Sequence, residues 1–105
     1  MAKERVRKYR WYIEPLGNVA HANEVIARWL HEETDAESAC NEKVCEDGKK
    51  HNLWDCHSRN AAEKIWQSRD SLHITIEIWS KEGGGKIRKI THLFRHRPRK
   101  PKGIA

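Results

Sequence analysis

Cys40, Cys45 and Cys56, with His57 beside the last and His51 between, bring together the residue types that ligate metal. Their spacing is Cys-x4-Cys-x10-Cys-His. Structural zinc takes tetrahedral Cys and His ligands, usually in closely spaced pairs. The Cys40–Cys45 pair fits that pattern. The second pair does not, because adjacent Cys56 and His57 on an extended strand point to opposite faces. Small buried thiols also pack as apolar side chains in a reduced domain. Cys40, Cys45 and Cys56 are therefore candidate ligands by residue type, while the expectation is no metal and no cofactor.

Nucleophilic catalysis by Cys56 would need a positioned base and an oxyanion site, and chain adjacency to His57 supplies neither. Gly83-Gly84-Gly85 resembles a phosphate loop only in composition, since no Lys-Ser or Lys-Thr follows and no helix begins there. The carboxylates show no telling paired spacing. The chain reads as a binding module and not as an enzyme.

Aromatic and basic side chains offer a different chemistry, stacking on bases and pairing with phosphates. Arg10, Tyr12, His73 and Trp79 lie in two alternating segments, and Arg95, Arg97, Arg99 and Lys100 crowd the end of the chain. Charge is unevenly spread. Residues 1–10 hold five basic side chains and one acid, and residues 95–105 hold five basic side chains and no acid. The intervening residues carry a net −3 within a chain of +6. Terminal basic arms are a common means of holding nucleic-acid phosphates, and equally a solubilising device.

The elements that must position these residues follow from periodicity. Residues 72–94 read as a β-hairpin, with Ile74, Ile76 and Ile78 alternating with polar and aromatic residues, a glycine turn, and a second strand over 87–94. Residues 7–15 read as the first strand, with Tyr9, Trp11 and Ile13 on one side. Asn18 caps a helix whose stripe is Ala22, Val25, Ile26, Trp29 and Leu30. Residues 42–47 and 49–56 form a short hairpin around Asp47-Gly48. Ser58 caps a second helix over 59–69, with Ala62, Ile65, Trp66 and Arg69 in a stripe.

One α+β domain of 105 residues follows, with basic arms at 1–8 and 95–105. The order strand, helix, strand, strand, helix, strand gives an antiparallel sheet with both helices on one face. That is the ferredoxin-like βαββαβ arrangement, with an extra C-terminal edge strand. By alternation the other face would be open and would present Arg10, Tyr12, His73 and Trp79. The RNA-recognition module shares this order, but 49–56 lacks its glycine- and aromatic-rich signature, and no family membership is inferred. Three cysteines without a disulfide spacing, and no apolar segment long enough to span a bilayer, point to a cytoplasmic protein without membrane contact. Nucleic acid is the expected partner. The alternative is a protein-interaction or regulatory module, for instance a small inhibitor-type protein of a mobile element, that binds a protein partner through a sheet edge or forms a homodimer.

Overall fold

The computed structural model describes residues 8–34 and 38–95. The chain folds as β1 (Tyr9–Leu16), α1 (Val19–Thr34), β2 (Cys40–Val44), β3 (Lys50–Asp55), α2 (Arg59–Leu72), β4 (Thr75–Glu82), β5 (Arg88–Lys89) and a 3-10 turn at Thr91–Leu93. All strand pairs are antiparallel, in the order β2-β3-β1-β4-β5. This is the ferredoxin-like arrangement, with β1 and β4 at its centre in register from Tyr9↔Glu82 to Leu16↔Thr75.

Local chemistry sets the helix limits. Asn18 Oδ1 accepts the His21 N–H at 3.2 Å, and Ser58 Oγ accepts the Ala61 N–H at 3.0 Å, so each helix starts where a side chain satisfies an orphan donor. Their apolar stripes bury Ala22, Ile26 and Leu30 from α1 and Ala61, Ala62, Ile65 and Trp66 from α2. These meet Ile13, Ile74, Ile76 and Ile78 of the sheet. Asp70 and Ser71 do not break α2, which continues to Leu72. It ends with His73 in the left-handed region, φ 59°, where the His73 and Ile74 N–H groups donate to the Asp70 and Arg69 carbonyls. Glycine usually fills that position in this motif.

The C-terminal strand differs from expectation. Only Arg88 and Lys89 pair with β4. The Ile78 N–H is instead taken by Thr91 Oγ1 at 2.8 Å, and the chain turns. A continued strand would drive His92 into the core alongside Ile90 and Phe94. The turn buries those two and leaves the imidazole outside.

The second face of the sheet is not open. Tyr12, Cys45, Leu53, Trp79 and Ile87 form a second apolar cluster there. Glu46 beside β2 donates its N–H to the Ile87 carbonyl beside β5 at 2.8 Å. β2 and β5 are the two outer strands, so the sheet curls until the segments at its edges touch. Strand twist in a small sheet makes such closure available.

Candidate functional site

Four of the residues expected to bind nucleic acid lie within the described sheet or its border, and the structure separates them. Tyr12 and Trp79 are 3% and 2% exposed, so neither ring can receive a base. Lys43 Nζ lies 5.8 Å from the Tyr12 ring centre and Lys89 Nζ 5.6 Å from that of Trp79, so cations cover both rings. His73 is the cap of α2 and stands outside the strand expected to carry it. Arg10 is exposed on the expected face and lies 3.8 Å from Asp55. Arg95 is exposed on the helix side, 6.0 Å from the Trp66 ring centre. Arg97, Arg99 and Lys100, and most of both basic arms, lie outside the described residues.

The cysteines are not brought together. Cys45 belongs to the cluster on one face of the sheet and Cys56 to the helix-side core on the other. No three His, Cys, Asp or Glu side chains among the described residues are placed to hold a metal ion. Burial raises the Cys40 thiol above its ordinary value, pushes Cys45 to about 11 and pushes Cys56 to about 12. Such thiols are poor nucleophiles at neutral pH. Cys56 Sγ faces the Ser58 carbonyl at 3.7 Å, and His57 is engaged by Ser38 Oγ at 2.9 Å.

A polar network that sequence reading missed crosses the second face. Glu14 accepts the Trp79 indole N–H at 2.8 Å and meets His51 Nδ1 at 2.8 Å with its other oxygen. His51 Nε2 meets Asp47 Oδ2 at 2.9 Å, and the imidazole rests on Trp79 with centroids 4.6 Å apart. Burial by itself would lower the His51 pKa, but the hydrogen bonds and charges of Glu14 and Asp47 outweigh it and hold the imidazole above its ordinary value. Asp47 is held low, first by the Lys49 N–H and then by His51. With an acceptor on each ring nitrogen, the imidazolium form satisfies both contacts.

The aromatic surface that is accessible lies elsewhere. Tyr9 and Trp11 stack with centroids 5.9 Å apart and planes 14° from parallel. Tyr9 is 51% exposed and Leu93 57%. Both flank a groove of about 200 Å³, with Arg59 and Arg88 also on its walls. Arg59 Cζ stands 5.8 Å from the Trp11 ring centre. The two guanidinium groups touch Glu63 at 3.5 Å and Glu46 at 3.6 Å, and all four side chains are about half exposed or more. Such surface pairs contribute little and exchange readily. Tyr9 and Trp11 do share the Ile13 side of β1, as alternation requires. Trp11 is partly buried and packed against the helix-side core, so Tyr9, at the start of β1, is the exposed member of the pair.

Comparison with protein-family models, with curated proteins and with solved structures returns no match.

Proposed function

We propose that this protein is a small, non-enzymatic binding module for single-stranded nucleic acid, and that a base stacks on Tyr9, with Trp11 and Leu93 as apolar contacts, rather than on Tyr12 and Trp79. The observation that carries the reading is the half-exposed Tyr9 ring, stacked on the partly buried Trp11 beside Arg59 and Arg88. An exposed aromatic face flanked by guanidinium groups suits a base and its phosphate, and it is sequence-tolerant because every base has a π-face. The basic residues of 1–10 adjoin the start of β1, so phosphate contacts can extend from the groove along the chain.

The test is the affinity of the intact chain for a short single-stranded oligonucleotide across a salt series. Tyr9→Ala removes a stacking platform and weakens binding by about 1–3 kcal/mol without changing the salt slope. Arg59→Ala with Arg88→Ala flattens that slope by roughly 0.7 for each phosphate that is no longer neutralised. Unchanged affinity in Tyr9→Ala, or no binding by the parent chain at low salt, contradicts the reading.

A second reading, a protein-interaction module, is favoured by the exposed edge of β4, where β5 ends early.

A further inference from the structure

Stacking alone does not tell one base from another, since every base has a π-face. Any preference of the Tyr9 groove therefore lies in the polar groups at the edge of the stacked ring. The register of the central strands names them. Tyr9 stands directly opposite Glu82 and Trp11 directly opposite Ser80, so all four side chains share one side of the sheet. Both polar residues line the groove, and Glu82 is its one acidic side chain among the described residues. The two cations of the groove, Arg59 and Arg88, face other acids, Glu63 and Glu46.

The backbone at Glu82 is fixed on both sides. Pairing with the first strand continues past it, where the Gly83 N–H donates to the Lys8 carbonyl at 2.7 Å. The Glu82 carbonyl accepts the Gly85 N–H at 2.9 Å as the chain turns. The side chain itself is exposed. It takes part in an interaction of its own, but a carboxylate offers about four acceptor sites and is not exhausted by it. Side chains opposite each other on one face of such a strand pair have Cβ atoms about 4.5–5.5 Å apart. A base resting on Tyr9 thus has its edge within reach of the carboxylate.

A carboxylate repels phosphates, so at this place it contributes by reading a base and not by holding the backbone. It accepts hydrogen bonds and donates none. Guanine presents two adjacent donors, N1–H and the N2 amino group, which the two carboxylate oxygens can take together. Adenine and cytosine present one amino group beside a ring-nitrogen acceptor. Thymine and uracil present a single N3–H between two carbonyl oxygens, which oppose the carboxylate. We propose that Glu82 makes the Tyr9 groove selective for guanine, by accepting N1–H and the N2 amino group of the stacked base, and that it disfavours thymine and uracil. This selectivity rests on the stacking at Tyr9 proposed above.

Fluorescence anisotropy of the full chain with labelled thymidine octamers tests it, one central position being thymidine, deoxyguanosine or deoxyinosine. The guanine octamer should bind about tenfold more tightly than the all-thymidine one, toward the low end for a bidentate base contact because the groove is open. Deoxyinosine lacks the N2 amino group and should lose most of that gain. In Glu82→Gln the guanine and thymidine octamers should bind with nearly equal affinity, and the thymidine octamer no more weakly than to the parent, which a misfolded variant would not show. A guanine preference that survives in Glu82→Gln overturns the proposal. Equal affinity of the parent for all three octamers, still weakened by Tyr9→Ala, overturns the selectivity and leaves the stacking site standing. No binding of any octamer overturns both.

Discussion

Trp79 donates its indole N–H to Glu14 at 2.8 Å and contacts both the His51 ring and the Lys89 ammonium group. Its surroundings make it a core residue, although by type and position it qualified as a stacking platform. Removing it would leave a cavity beneath His51 and free the Glu14 carboxylate of one donor. Trp79→Ala should therefore cost about 3–5 kcal/mol of stability, the range for a buried large aromatic. Chemical denaturation measures it. A loss below about 1 kcal/mol would mean that the second cluster contributes little and that the ring is replaceable by water.

Among the elements, the curled hairpin of β2 and β3 depends on a titratable contact. His51 on β3 ties Asp47 in the turn to Glu14 on β1, and Glu46 of the same turn bonds the Ile87 carbonyl. The folded pKa of His51 is raised above the value near 6.5 of an unfolded chain. The stabilisation is therefore complete below that value and is lost as pH rises through the folded pKa. The melting temperature should fall as the pH is raised above about 6.5 in the parent chain, and this fall should be much reduced in His51→Gln. A parent profile that is flat over this range, or one that rises, would contradict the role given to the network. This network was not legible in the sequence, because Glu14, Asp47 and His51 meet only once the sheet has closed. The strand and helix order was legible, since the isoleucine alternation in β4 and the stripes of α1 and α2 are local patterns. The end of β5 was not, because Thr91 replaces a backbone partner with its hydroxyl, and periodicity carries no trace of that. The candidate surface was half legible. Alternation placed Tyr9 and Trp11 on the correct side of β1, but tertiary packing decided that Tyr9 is exposed and Trp11 partly buried.

For the whole molecule, charge and shape point in the same direction. The described body is close to balanced, and the excess positive charge sits in the residues that lead into β1 and out of the 3-10 turn. In the sequence the first of these segments immediately precedes β1, whose first residue, Tyr9, borders the groove that holds Arg59 and Arg88. On the proposed reading, a strand of nucleic acid drawn in by the basic segments would meet the exposed Tyr9 ring there, whereas the curled face opposite buries Tyr12 and Trp79. The five tryptophan indole N–H groups make the location directly observable by heteronuclear NMR during titration with a short single-stranded oligonucleotide. The account predicts that the Trp11 indole signal shifts in a dose-dependent way, together with the amides of Tyr9, Arg59 and Leu93, while the buried Trp79 indole stays in place. Movement of Trp79 with Trp11 stationary, or no shift at any signal, would contradict it.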